Sequence, residues 1–498
     1  MNDPETVAPI ECLSSGILEL DRILDGGLPA RSVSVITGKP GSGKTILTLH
    51  VLFHLARQGK RCLYFTTLSE PTLKMIQYMQ RFTYFDQRLL DERIVFTDLG
   101  SRARSQRPEQ VLAEVSARVE REEPDLVAID SFKALHDLLG DAASSRSFVY
   151  DLAVSMAAWG ATTLLVGEYT TQDLASAPEF AIADGIIHLG TQPQERASAR
   201  VLEVLKLRGA NYVSGQHFFE ITGAGVAVYP RARAPEVTGE ASSSISERMT
   251  SGIAGLDDLL HGGVPRRSST VVQGSTGTGK TLLGLTFLRA GAQKGERGLV
   301  FALEETPAQL RSIAAALGWD LAALEAEGLL TVMYISPLEL SADRFLYEAR
   351  ERVQTAGAQR VVLDSISSVA LGVPSERRLH QFIYALTKHF RLAGVTTLLT
   401  LEVPEQFGAV QLTGHGVSSI ADNVVVLRFV EVDGRLERAI SVLKARGVQH
   451  ETEPRRFTIG DGGMRVEGAF TGYRGILTGL PVPVTQSAPW AGQRKEER

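Results

Sequence analysis

With 498 residues, the chain exceeds what one hydrophobic core organises, and two domains of more than about 200 residues each are expected. Its 44% hydrophobic and 22% charged content is that of a soluble α/β protein, and a net charge of −5 excludes whole-molecule attraction to nucleic acid or anionic lipid, leaving only a local basic patch. No apolar run approaches about 18 residues, no N-terminal signal pattern is present, and Cys12 and Cys62 lack metal-ligand spacing, so a reducing, cytoplasmic location and no membrane partner are expected.

In chain order, Ser15-Gly16-Ile17 with Leu20-Asp21, then Gly26-Gly27-Leu28-Pro29, lead into a β-branched run, Ser32 to Ile36. Next comes Gly38-Lys39-Pro40-Gly41-Ser42-Gly43-Lys44-Thr45, which satisfies the phosphate-loop pattern G-x-x-x-x-G-K-[ST]. Gly38, Gly41 and Gly43 let the backbone curl so that its N–H groups, with Ser42, surround phosphate oxygens. Lys44 supplies a point charge and Thr45 a Mg²⁺ ligand, while the helical pattern from Ile46 to Arg57 adds a positive N-terminus. At an offset of 274 − 38 = 236 the whole block recurs, with Gly274, Thr276, Gly277, Thr278, Gly279, Lys280 and Thr281 in the second loop. The repetition predicts two whole domains rather than a solenoid.

The strand patterns Arg61–Thr66 and Gly298–Leu303 end near Ser69-Glu70 and Glu304-Glu305. Glu70, Glu304 and Glu305 are candidates for orienting or deprotonating an attacking water; alternatively they open the helices that Pro71 and Pro307 announce. Helical spacing at Val111-Leu112-Val115-Val119 and Phe345-Leu346-Ala349-Val353 is followed by apolar strands ending in Asp130 and Asp364. A single Asp after a strand is often a helix cap, but one about 85 residues after a phosphate loop in both halves is better explained as a carboxylate reaching Mg²⁺ through water.

Later strands are Ala161–Val166 and Ile186–Leu189 in one half, Val395–Thr400 and Val424–Leu427 in the other, and their alternation with helices predicts a mostly parallel sheet. Lys206-Leu207-Arg208-Gly209 and Lys444-Ala445-Arg446-Gly447 each put two cations on one strand face, suited to a polyphosphate or to a charge-blunted edge strand. Arg102, Arg104 and Arg107 read as a solvated loop, with no interleaved aromatic to suit nucleic acid. Residues 231–246 read as a linker and 481–498 as a disordered tail, so the expected domains are 1–230 and 247–480.

The tandem Ser-Gly-Ile openings, two phosphate loops, Glu304-Glu305, two strand-end aspartates and two Lys-x-Arg-Gly motifs together resemble the double-domain KaiC family of RecA-like ATPases, known as circadian clock ATPases and autokinases. The resemblance runs from about Leu13 to Leu480. It implies tandem RecA-like α/β phosphate-loop domains, ATP and Mg²⁺ as cofactors, and two stacked rings of a homohexamer with ATP between subunits. Lys206 with Arg208, and Lys444 with Arg446, would then act in trans on a neighbour's γ-phosphate. Arg200 and Arg438 match further nucleotide contacts, and His450 matches a family histidine that Tyr212 replaces in the first half. Ser69 stands where the family has the first of two glutamates.

Thr413 to Asp422 is similar to the family's autophosphorylation segment, with Ser418 and Ser419 at its two phosphosite positions. The local offset, 422 − 184 = 238, puts Phe180 and Ala181 opposite them, so only the second half carries an acceptor; alternatively the serines cap the structure that follows. The leading expectation is a hexameric, ATP-hydrolysing serine/threonine autokinase with regulatory protein partners and no nucleic-acid partner. A RecA-superfamily DNA-binding ATPase and a nucleotide-locked signalling scaffold with little turnover, the latter favoured by Ser69, are the competing readings.

Overall fold

The computed structural model describes residues 10–67, 72–90, 92–100, 108–137, 142–194, 197–233, 235, 247–337, 340–373, 375–403, 417, 419–478 and 481–484. The chain divides into two compact units, Met1–Arg231 and Ala232–Arg498. In the first, successive residues of the apolar runs point to opposite faces of a sheet, and both faces are covered. Ile36, Cys62 and Tyr64 join one core layer, whereas Val35, Leu63 and Phe65 join the other. That two-sided burial is what a parallel sheet flanked by helices requires.

The strands are β1 (Val33–Gly38), β2 (Cys62–Thr66), β3 (Ile94–Asp98), β4 (Leu126–Asp130), β5 (Thr162–Gly167), β6 (Gly185–Gln194), β7 (Ala197–Leu207), β8 (Gln216–Thr222) and β9 (Gly225–Tyr229). They form a nine-stranded sheet in the order β9-β8-β7-β6-β1-β5-β4-β2-β3. Strands β6 through β3 in that order pair in parallel, and β7, β8 and β9 extend one side as an antiparallel meander. Helix α1 (Lys44–Arg57) covers one face. Helices α2 (Pro108–Glu122) and α3 (Ala142–Trp159) cover the other, through Val111, Val115 and Val119 at four-residue spacing and through Phe148, Leu152 and Met156.

The second unit repeats the plan. Its strands are β10 (Ser269–Gly274), β11 (Gly298–Ala302), β12 (Leu330–Tyr334), β13 (Arg360–Asp364), β14 (Thr396–Glu402), β15 (Asn423–Val432), β16 (Arg435–Ala445), β17 (Arg455–Gly460) and β18 (Gly463–Ala469). The order is β12-β11-β13-β14-β10-β15-β16-β17-β18, again parallel from β12 to β15 and antiparallel beyond. Helices α4 (Lys280–Ala292), α5 (Pro307–Ala315), α6 (Ala342–Ala356), α7 (Ile366–Leu371) and α8 (Glu376–Leu392) pack over it. Phe301, Phe382 and Phe390 are fully buried, each worth about 1.5–3 kcal/mol. Phe301 meets Phe345 edge-on, with centroids 5.3 Å apart.

Among the described residues, the largest fully buried side chain is Arg360, at the start of β13. Its guanidinium donates to Glu296 at 2.8 and 2.5 Å and to the carbonyls of Thr250 and Phe287. It crosses α4 at Gly291, where a Cβ would lie 2.5 Å from Arg360 Cδ, so a glycine is required there.

The α/β class and mostly parallel sheets match the sequence reading. The meander strands β8, β9, β17 and β18 and the edge strands β3 and β12 were not expected. One correction concerns the tail: Val482–Pro483 forms a short strand antiparallel to Tyr473–Arg474, and Val484 N donates to Gly472 O at 2.8 Å, because backbone pairing needs no apolar pattern. Residues 485–498 and most of 231–246 lie outside the described residues. No helix among the described residues is long and apolar enough to cross a membrane.

Candidate active site

Each phosphate loop leaves the C-terminal end of a central strand and enters a helix at its lysine. Gly43 and Gly279 hold the turn at φ 103° and 104°, the left-handed region that a Cβ disfavours. A Cβ there would also come within 2.8 Å of Ile221 Cδ1 and 2.9 Å of Ile459 Cδ1. No side chain caps either helix start, so its N–H groups are left to an anion.

Lys44 Nζ donates to Gly38 O and Lys39 O at 3.0 Å, and Lys280 Nζ to Gly274 O at 2.9 Å and Ser275 O at 2.8 Å. Burial pulls both ammonium pKa values down, and nearby carboxylates act against it. Thr45 Oγ1 donates to Asp130 Oδ2 at 2.7 Å, and Tyr64 OH donates to the same oxygen at 2.6 Å. In the second unit Asp364 accepts from Thr400 and Thr281. Burial pushes the Asp130 and Asp364 carboxyls up, and these hydroxyl donors resist it.

In the second unit the helix cap is not Asp364. Ser365 caps α7 by accepting from Ser368 N. The loop threonine and strand-end aspartate of each unit are thus neighbours, an all-oxygen pair that fits Mg²⁺, which takes one or two carboxylates and completes its shell with water and phosphate. No group of three or more acidic, His or Cys side chains suited to a metal occurs among the described residues, as that mode of binding allows.

Glu304 Oε1 accepts from Ser365 Oγ and Ser368 Oγ, both at 2.6 Å. Glu305 is half-buried, and its Oε2 has no hydrogen-bond partner among the described residues. Burial first, then the charges of Asp364 and Glu304, push its carboxyl above the usual range. Pro307 does open α5, as the helix-start alternative expects, but the cap is the Thr306–Gln309 capping box and neither glutamate. Ser69 and Glu70 lie outside the described residues.

The Lys-x-Arg-Gly motifs are at the other end of the sheet. Lys444 is opposite Val424, and Arg446 N donates to Asp422 O, where Asp422 in turn accepts from Ser269 N at the first residue of β10. The phosphate loop leaves the last residue of that strand, about 17 Å away along six residues. Lys444 Nζ points to Ala421 O at 2.7 Å, away from its own loop. The first unit matches: Lys206 Nζ donates to Phe180 O, and Arg208 pairs with Asp184 at 3.4 Å. Taken whole, β7 and β16 are not edge strands, since each lies between two others, and the edge-strand alternative holds only locally. Their cationic ends pair on one side only among the described residues, because β8 meets β7 at Val201–Glu203 and β17 meets β16 at Arg438–Ile440.

Arg200 and Arg438 are not brought to those cations. Arg438 is opposite Phe429, its guanidinium 5.1 Å above that ring, and about 20 Å of strand separates it from Lys444. Arg200 is opposite Thr191. His450 is half-buried after β16, and Tyr212, its counterpart, packs on the first unit's core with its OH donating to Leu205 O. Ser419 is exposed just before Asp422, at the Lys444 end; Ser418 and Thr413 lie outside the described residues.

Two carboxylates were missed. Glu168 Oε1 lies 3.6 Å from Lys44 Nζ, and Glu402 accepts from Thr276 Oγ1 at 2.6 Å. Both follow or end matching strands at an offset of 402 − 168 = 234, a pairing visible in the sequence.

The KaiC ATPase family model matches twice, over residues 13–233 and 249–469. The circadian clock protein KaiC3 of Synechocystis sp. is 33% identical, the match covering 98% of this chain and 97% of that protein. The circadian clock oscillator proteins KaiC of Picosynechococcus sp. and Rippkaea orientalis are each 29% identical over 97% of this chain, covering 96% and 93% of their own lengths.

Proposed function

The chain belongs to the KaiC ATPase family, and from that premise we propose that it is a Mg²⁺-dependent ring ATPase and serine autokinase acting as a regulatory switch. The observation that carries the ring is the position of Lys444 and Arg446, at the opposite end of β10 from their own phosphate loop. Two cations with a polyphosphate role and no route to their own nucleotide have their use on a neighbour's, and a closed ring of such head-to-tail contacts satisfies every copy.

In each site the glycine-lined loop and helix N-terminus hold the phosphates, and Lys44 or Lys280 exchanges its backbone carbonyls for phosphate oxygens. Thr45 with Asp130, and Thr281 with Asp364, are the groups that would hold Mg²⁺, which neutralises charge building on the phosphates. Glu305, partly dehydrated and poised to accept a proton, with Glu304 fixed by two serines, orients and deprotonates the attacking water. With Ser69 in place of a glutamate, the first unit turns over more slowly. In the second, the hydroxyl of Ser418 or Ser419 replaces water as acceptor, and the position of Ser419 at the Lys444 and Arg446 end of the sheet supports transfer from a neighbour's ATP.

The relatives' names, circadian clock proteins, favour a circadian or related timing role; regulatory protein partners and a cytoplasmic location complete the proposal. The net charge of −5 weighs against the DNA-binding alternative. The test is incubation of pure protein with Mg-ATP, followed by light scattering, ADP measurement and peptide mass spectrometry. Hexamers, ADP and phosphate at Ser418 or Ser419, the last abolished by Lys280→Ala and kept by Lys44→Ala, are expected. A monomer in saturating Mg-ATP overturns the ring; an unmodified segment in protein that hydrolyses ATP overturns the autokinase.

A further inference from the structure

A pocket of ≈ 250 Å³ opens at the first residue of β10, lined by Lys388 and Arg391 of α8, by Ser419, and by Asp422 and Arg446. Its three cations face one carboxylate, a formal balance of +2. Asp422 is already engaged, accepting from Ser269 N and Oγ and pairing with Arg391 while Arg446 stands 3.9 Å away. Lys388 Nζ rests 5.6 Å above the Tyr384 ring.

The duplication supplies a control. Aligning Gly160 with Gly394, an offset of 394 − 160 = 234, puts the buried Phe148, Leu152 and Met156 of α3 opposite the buried Phe382, Leu386 and Phe390 of α8. In that register Val154 and Ala157 stand opposite Lys388 and Arg391. Lys206, Arg208 and Asp184 repeat Lys444, Arg446 and Asp422, so the cations assigned to a neighbour's nucleotide occur in both units. The two added by α8 occur only in the unit that has Ser418 and Ser419 where the other has Phe180 and Ala181. A nucleotide role shared by both units does not account for cations found in one.

We propose that this pocket binds a phosphoryl dianion, the one carried by Ser419 after modification. The source of that phosphate rests on the autokinase reading. Transfer forms the Ser419 Oγ–P bond as the β–γ phosphoanhydride of ATP breaks; ADP leaves with the electron pair and the hydroxyl proton passes to a carboxylate or water. A phosphoserine carries about −1.5 to −2 charge, matching the pocket, and Arg391 and Arg446 have the planar forks that grip such a group. Held there, the phosphate is shielded from removal.

The test uses the full chain with phosphoserine installed at position 419 during translation, so no kinase step is needed. The rate of phosphate release by an added phosphatase is compared with that of the same protein carrying Lys388→Glu, a partly exposed change that leaves the buried Asp422 contacts intact; thermal melting checks the fold. Release about ten-fold faster in the variant is expected, the ratio for losing one charge-assisted contact. Arg391→Lys, which keeps the charge but loses the fork, falls between. Equal rates in all three proteins overturn the proposal. Inorganic phosphate is titrated into unmodified protein in parallel. If it stabilises wild type but not Lys388→Glu while the phosphoserine is unprotected, the site takes free phosphate and the assignment to Ser419 is overturned. If the installed phosphoserine is protected yet Mg-ATP leaves the segment unmodified, the autokinase reading fails and the pocket stands.

Discussion

The position of Lys444 and Arg446 makes a prediction about two defective proteins that repair one another. One carries Lys280→Ala and lacks the loop cation; the other carries Lys444→Ala with Arg446→Ala and keeps its loop. Each alone loses the second unit's turnover, and removal of a trans cation at a γ-phosphate costs about 10³-fold or more. The route within one chain is closed: six residues of β10, about 17 Å, separate the loop from Asp422, to which Arg446 is tied. In a ring assembled at random from an equal mixture, a site works only where an intact loop meets a neighbour with intact cations. That occurs at about one quarter of interfaces in a closed head-to-tail ring. ADP release by the mixture is measured against a chain carrying all three changes, which reports the first unit alone. Recovery of about a quarter of the second unit's turnover is expected on this model. Turnover equal to the mean of the two parents, in rings that mass measurement proves mixed, refutes action in trans.

Glu304→Gln and Glu305→Gln should each reduce the second unit's ADP production by about 10²-fold if the carboxylates orient and deprotonate water. Because burial holds the Glu305 carboxyl above its ordinary range and the base form is required, turnover falls as pH drops, with the acid limb of kcat/KM above about pH 4.3 and absent in Glu305→Gln. Glu296→Gln strands the buried Arg360 guanidinium and should destabilise the second unit by about 3–5 kcal/mol, read as lost hydrogen-exchange protection in β13. Burial raises the Glu296 carboxyl, but donation from Arg360 and Arg266 outweighs it and leaves the pKa lowered. The stability it contributes is therefore present above the unfolded pKa, about 4.3, and lost as pH falls through the lower folded value. Unchanged melting from pH 6 to pH 3 would contradict that sign.

The phosphate loops, the two strand-end aspartates and the parallel strands were legible in the sequence because each depends on local order. A loop that turns at Gly43 and enters a helix at Lys44 is specified by neighbouring residues, and strands buried on both faces are written as unbroken apolar runs. The meander strands were not legible: Gln216–Thr222 and Gly463–Ala469 mix buried and exposed positions, and their pairing is chosen by the sheet edge they meet. Glu304 and Glu305, equal in the sequence, became different when Ser365 and Ser368 took one and burial took the other. Asp130 is held by Tyr64 from β2 and Asp364 by Thr400 from β14, donors that only the packing of separate strands selects. Arg438 and Lys444 share a short stretch of chain, yet the straightness of a strand carries them to opposite ends of the sheet. Local motifs state which groups can meet a phosphate; the extended geometry of β16 decides that Lys444 and Arg446 lie far from the phosphate loop of their own chain.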